Sequence, residues 1–126
     1  MARSLADWSD AALVVAIGRW RDDALAEVYR RHGGAVFALA RRLLGDPGRA
    51  EEIVQEIFLK LWNQPERFDP ERGTLRSFLL AQTHGRSVDV IRSDRARSVR
   101  PGSLRAPLSG GLVGSIQGTD HRRSGR

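Results

Sequence analysis

Cysteine is absent from these 126 residues, which excludes a disulfide framework, a thiolate metal site and a cysteine nucleophile. Long apolar runs are absent as well. The longest, Ala11 to Ile17, falls far short of the roughly 20 residues that span a bilayer. The opening Met-Ala-Arg-Ser-Leu-Ala-Asp-Trp has no apolar core of the signal-peptide kind. A soluble chain of the cytoplasm, with no membrane partner, is therefore expected. No stretch alternates with period two for long enough to make a strand, and no internal repeat is present. Glycine-rich phosphate loops and nucleophile motifs are missing. The three histidines (His32, His84, His121) are scattered, and no Glu-x-x-His pair exists of the kind a di-metal bundle uses. The reading is thus of a chain that is not an enzyme and holds no cofactor or metal.

Acid is in shorter supply than base: 21 Lys+Arg stand against 15 Asp+Glu, giving a net charge of +6. A polyanionic partner fits that balance, but the distribution matters more. Residues 1–100 carry 17 basic and 14 acidic side chains, so half of the excess lies in residues 101–126. Twenty of the basic residues are Arg. Phosphate and base recognition by a planar fork of donors and a GC-rich coding bias explain that equally well.

The composition divides the chain at Pro101. Beyond it, six Gly, four Ser and two Pro make up 12 of 26 residues. The apolar residues there keep no period, so the segment buries too little surface to offset the entropy of ordering it. A disordered Gly/Ser/Arg-rich tail over 101–126 is expected behind one domain over 9–100.

Before Pro101 the pattern is helical throughout. Ser9 suits the N-cap of a short helix over 10–20 with Leu13, Val14, Ile17 and Trp20 on one face. Asp22 and Asp23 open a second helix, where negative charge suits the helix dipole. Its apolar positions run Leu25, Val28, Tyr29, Val36, Leu39, Ala40, Leu43, and Gly45 stops it. Asp46 and Pro47 start a third, which ends at Gln64 before Pro65. Ala50, Ile53, Val54, Ile57, Phe58, Leu61 and Trp62 form its wide core stripe. After a loop with two prolines, Thr74 caps a fourth helix that runs to about Arg97. The architecture read from this is all-α: a compact bundle of three long helices plus a short N-terminal one.

Two surfaces stand out. On the third helix, Leu59 sits among Glu52, Gln55, Glu56 and Lys60, away from the stripe. That arrangement reads either as an ordinary solvated face or as an acidic docking surface with an apolar centre for a basic helix. The fourth helix carries Arg86, Arg92, Arg95, Arg97 and Arg100 against only Asp89 and Asp94. With Arg92 and Arg95 one turn apart and Arg86 about two turns before Arg92, part of this cluster is expected on one face, tracking phosphates. A solvated helix end favoured by the dipole is the alternative. Phe68 and Arg72 in the preceding loop are suited to stack on or hold an unstacked base.

In order along the chain, Asp23-Ala-Leu-Ala-Glu-Val-Tyr-Arg-Arg-His, Ala50-Glu-Glu-Ile-Val-Gln-Glu-Ile-Phe-Leu-Lys-Leu-Trp62, Phe68-Asp-Pro-Glu-Arg-Gly and Arg76-Ser-Phe-Leu-Leu-Ala-Gln-Thr-His-Gly-Arg-Ser-Val-Asp-Val-Ile-Arg92 resemble the N-terminal conserved domain of bacterial sigma factors. The group is the extracytoplasmic-function (ECF) type of the sigma-70 family, and the resemblance covers roughly residues 10–100. It implies that the third helix docks on the clamp-helix coiled coil of the RNA polymerase β′ subunit, with Glu52, Gln55, Glu56 and Leu59 as contacts. It also implies that the loop and fourth helix recognise and melt the promoter minus-ten element, trapping a flipped base of the non-template strand. Phe68, Asp69, Arg72, His84 and Arg86 are the candidates for that pocket, and Arg92, Arg95 and Arg97 for the phosphates. Many family members have Asn where this chain has Gly85, a residue that helps read the flipped base, so the resemblance fixes no base preference here. The family's second domain, a helix-turn-helix for the minus-thirty-five element, has no counterpart up to Arg126. The competing expectation is therefore a truncated or stand-alone interaction module that binds polymerase or an anti-sigma factor without opening DNA.

Overall fold

The described residues build four α-helices, and most of their boundaries have a local cause. The computed structural model describes residues 4–99; the tail expected over 101–126 lies outside the described residues. Helix α1 spans Asp10–Gly18, after a short 3-10 turn at Leu5–Asp7. Ser9 Oγ accepts from the Ala12 N–H at 3.1 Å, which satisfies one of the otherwise unpaired amides of the first turn. Leu13, Val14, Ala16 and Ile17 are buried.

The expected continuation to Trp20 does not occur. Trp20 takes φ 68, in the left-handed region that bulky L-residues rarely adopt. The Trp20 and Arg21 amides instead bond back to Ile17 O and Ala16 O at 3.0 and 3.1 Å, closing the turn. The Trp20 ring lies edge-on to Trp62, centroids 5.8 Å apart.

Helix α2 spans Asp22–Leu44, with Asp22 and Asp23 in its first turn and Arg41 and Arg42 in its last, the order the dipole favours. Gly45 at φ 73 ends it in the left-handed conformation, its N–H on Arg41 O at 2.8 Å. Helix α3 spans Pro47–Asn63. Its proline occupies a position with no intrahelical partner to lose, and Asp46 Oδ1 accepts from the Gly48 N–H at 2.9 Å. A 3-10 turn at Pro65–Arg67 follows. Helix α4 spans Leu75–Val99, capped by Thr74, whose Oγ1 accepts from the Ser77 N–H at 3.1 Å.

Helix α2 is the central element, packing most extensively on α3, then α4, then α1. The α3 stripe (Ala50, Ile53, Val54, Ile57, Phe58, Leu61) is buried against it, joined by Leu75 and Leu79 of α4. Each such aliphatic side chain contributes on the order of 1.5–3 kcal/mol when fully buried. Tyr29, expected on the apolar side of α2, is half exposed. Its ring packs edge-on against Phe58, centroids 5.1 Å apart, so part of it is covered while the rest stays open to water. All described secondary structure is helical, and no described helix is long and apolar enough to cross a membrane.

Candidate functional site

On α3, Glu51, Glu52 and Gln55 are exposed and Leu59 is partly buried. Glu56 departs from this group. Its side chain is only 13% exposed, and its Oε2 and Oε1 accept from Arg86 Nε of α4 at 3.0 and 3.3 Å. The open acidic face is thus Glu51, Glu52 and Gln55, while Glu56 and Leu59 turn toward α4.

The loop between α3 and α4 places Phe68 inward. It is 8% exposed and belongs to the core, its ring 5.5 Å from that of Phe78. In this conformation it offers no face to a base, because its apolar area is already used in packing. Asp69 is exposed. Its Oδ1 accepts from the Glu71 N–H and its carbonyl from the Arg72 N–H, both at 3.0 Å, which is how an aspartate holds a tight turn through Pro70. Arg72 projects outward with 88% of its side chain exposed, 3.8 Å from Asp69.

Beyond Arg76, the basic side chains of α4 differ in exposure. His84, Arg92 and Arg95 are exposed. Arg86 and Arg97 are held by acids: Arg86 by Glu56, and Arg97 by Asp94 Oδ1 at 3.1 Å. Arg92 and Arg95, three residues apart, fall about 60° from one another on one side of the helix, whereas Arg86, six residues before Arg92, stands some 120° from it. Asp94 also binds Arg49 of α3 at 2.6 Å. Arg49 first, and Arg97 after it, hold the Asp94 carboxyl below its ordinary range, because both favour the charged form.

Between α3 and α4 lies a cleft of about 430 Å³, lined by Glu56, Leu59, Gln64, Arg67, Gln82, Gly85, Arg86 and neighbours. It brings Arg86 beside Gly85 but takes in neither Phe68 nor Arg72. Gln64, Arg67 and Gln82 were not among the residues expected at a site.

A second polar assembly was also not expected. His32 is 6% exposed and bridges three helices. Its Nε2 lies 2.9 Å from Asp10 Oδ2 of α1, and its Nδ1 accepts from Arg76 Nε of α4 at 3.1 Å. Because Nδ1 accepts, the ring proton sits on Nε2 and points at the aspartate. Arg31 binds Asp10 Oδ1 at 2.9 Å, Glu27 at 2.8 Å and the Leu5 carbonyl at 3.0 Å. The available signal was the spacing Val28, His32, Val36, Ala40, which places the histidine on the buried stripe of α2. Among the described residues, no cluster of three or more His, Asp or Glu suits a metal ion.

Comparison with known proteins places this arrangement among relatives. Residues 28–97 match the family model described as Sigma-70 region 2. The chain is 40% identical over 78 residues to an ECF RNA polymerase sigma factor SigK of Mycobacterium sp. (strain KMS), covering 62% of this chain and 40% of that protein. It is 34% identical over 117 residues to the protein of the same name from Mycobacterium ulcerans (strain Agy99), covering 89% and 63%. With that from Mycobacterium tuberculosis (strain ATCC 25177 / H37Ra), the identity is 35% over 105 residues, covering 79% and 56%. The chain therefore spans between 40% and 63% of the length of these relatives.

Proposed function

The chain belongs to the sigma-70 family, as an extracytoplasmic-function factor carrying region 2, and from that premise we propose that it binds core RNA polymerase through the outer face of α3 and the promoter minus-ten element through α4. The observation that carries this reading is the separation of charge. Exposed Glu51 and Glu52 stand on one helix, and exposed His84, Arg92 and Arg95 on another. An acidic helix face suits a basic helical partner such as the β′ clamp helices, because complementary potentials steer association and fix register. Exposed guanidiniums suit the phosphates of a separated strand. Asp69 and Arg72 stand on an exposed turn beside the start of α4, where a single strand passing along that helix meets them. The α3–α4 cleft, open beside Gly85, is the place for a flipped base.

This division assigns roles by exposure. Glu52 and Gln55 lead the polymerase contact, with Leu59 at its edge. Glu56 acts at one remove, through Arg86. The factor works by binding in the cytoplasm and not by catalysis. A second reading, in which the domain holds polymerase or an anti-sigma factor without opening DNA, is favoured by one observation: Arg86 and Arg97 are already paired with acids. The two readings part in one experiment. Glu52→Lys with Gln55→Lys is expected to abolish co-purification with core polymerase at unchanged helicity, and undiminished capture would reject the α3 assignment. Retention of single-stranded minus-ten DNA by the unaltered chain with polymerase separates promoter engagement from polymerase binding alone.

A further inference from the structure

We infer that Arg42, in the last turn of α2, is a further phosphate contact, so that a strand held by α4 also lies along the flank of α2. The inference rests on the promoter-engagement reading and adds to it a second helix. The first observation is how the arginines are paired. Arg21, Arg31, Arg49, Arg86 and Arg97 are each held by an acid. Arg41 and Arg42 are exposed, and among the described residues no ion pair holds either of them. The nearest acid in the sequence, Asp46, is engaged in capping α3.

Position then separates these two neighbours. Helix α3 runs antiparallel to α2, from which a tight turn at Gly45 and Asp46 divides it, and antiparallel to α4, where Arg49 meets Asp94 and Glu56 meets Arg86. Helices α2 and α4 are therefore parallel. On α2, His32 faces Arg76 of α4 and Tyr29 faces Phe58 of α3. At about 100° per residue, Tyr29 lies about 60° to one side of His32 and Arg42 about 80° to the other. Arg42 thus stands on the α4 flank, whereas Arg41 lies about 180° from His32 and faces away from it. On α4, Arg86 marks the α3 side. The fully buried Thr83 and Ser87 follow at about 60° and 100° around the helix, and the exposed His84 and Arg95 at about 160° and 180°, on the side of α2. Arg42 comes ten residues after His32 and Arg86 ten after Arg76, which sets Arg42 about 9 Å along the bundle before Arg92. Ala35 and the exposed Ala38 precede it on the same flank, so no bulky side chain separates a strand on α4 from the guanidinium. Cations in the last turn of a helix also suit its dipole. That explanation applies equally to Arg41 and Arg42, so the two residues control for one another.

The test loads the full chain on core RNA polymerase and measures affinity for a single-stranded minus-ten oligonucleotide across a salt series. Arg42→Ala is expected to make the slope of log affinity against log salt shallower by about 0.7, one phosphate contact on a single strand. Arg42→Lys, which keeps the charge, and Arg41→Ala, which removes the neighbouring one, should both keep the original slope. The unfolding midpoints of Arg41→Ala and Arg42→Ala should move together, because both lose the same dipole contact. Equal slope changes in the two alanine variants would reduce the effect to net charge and overturn the contact. An unchanged slope in Arg42→Ala, or a loss of polymerase affinity in its place, overturns the role of Arg42 while promoter engagement through α4 stands. An unaltered chain that holds polymerase but no oligonucleotide overturns both.

Discussion

Two polar seams tie this bundle together, and they are finished to different degrees. Where α1, α2 and the start of α4 meet, both oxygens of Asp10 are used, by Arg31 and by His32. His32 uses both ring nitrogens, and Arg76 reaches on to the Arg31 carbonyl at 2.9 Å. Where α3 meets α4, Arg49 pairs with Asp94 and Arg86 with Glu56, but the second pair flanks an open cleft, and the buried Gln82 Oε1 is left without a donor. A fully satisfied network rigidifies the elements it joins, and an unpaired buried polar group costs stability in a partly satisfied one. The first seam ties the first turn of α4 to α1 and α2. The second keeps an open cleft beside its Glu56–Arg86 pair.

The sharpest way to break this comparison is to remove the hub of the first seam. His32→Ala leaves Asp10 and Arg76 without their shared partner in a mostly buried place, and is expected to cost about 2–3 kcal/mol in denaturant unfolding. Arg86→Ala on the second seam removes a pair whose arginine is 39% exposed, so at most about 1 kcal/mol is expected. Equal losses would erase the distinction between the seams.

Acid offers a smaller and graded probe. Hydrogen bonds from Arg30 and then Arg31 push the Glu27 carboxyl from its ordinary 4.5 down to about 2. A carboxyl depressed in the folded state stabilises fully above its unfolded value and loses that contribution as pH falls through the folded one. The first seam is therefore expected to weaken between about pH 4.5 and pH 2. Glu27→Gln should flatten that part of the stability–pH curve, and an unchanged acid limb would show that the carboxylate is not the source.

The smallest effects belong to two adjacent glycines of α2. A Cβ at Gly34 meets nothing, whereas one at Gly33 comes within 3.1 Å of the Tyr29 ring. Gly34→Ala should stabilise by about 0.5–1 kcal/mol, the helix-interior difference between the two residues. Gly33→Ala should gain less, because the ring must shift from its place on Phe58. Thermal unfolding of the two variants orders them.

How far these seams were legible in the sequence depended on their span. The α3 stripe and the caps at Ser9, Asp46 and Thr74 were readable because period, cap and stop signals all act within a few residues. The helix to Trp20 was not, since the closing turn gives Trp20 a left-handed backbone and sets its ring against Trp62, 42 positions away in the sequence. Phe68 looked like a loop aromatic free to stack, and only the packing of Phe78 shows it as core. Glu56 and Arg86 were each assigned to a different partner, and the fold pairs them with one another. The same holds for the histidine hub, whose members come from α1, α2 and α4. Acidic and basic surfaces were foreseen in outline, but which charges stay open is decided by tertiary pairing.

The central claim, that α3 meets protein while the exposed arginines of α4 meet phosphate, is tested most directly by salt. The measurement is the affinity of the polymerase-bound chain for single-stranded minus-ten DNA across a salt series, with and without Arg92→Ala and Arg95→Ala together. Each lost phosphate contact on a single strand lowers the slope of log affinity against log salt by about 0.7. The double variant is therefore expected to show a slope shallower by about 1.4, at unchanged polymerase affinity. An unchanged slope, or a loss of polymerase binding in parallel with DNA binding, would contradict the division of the two faces.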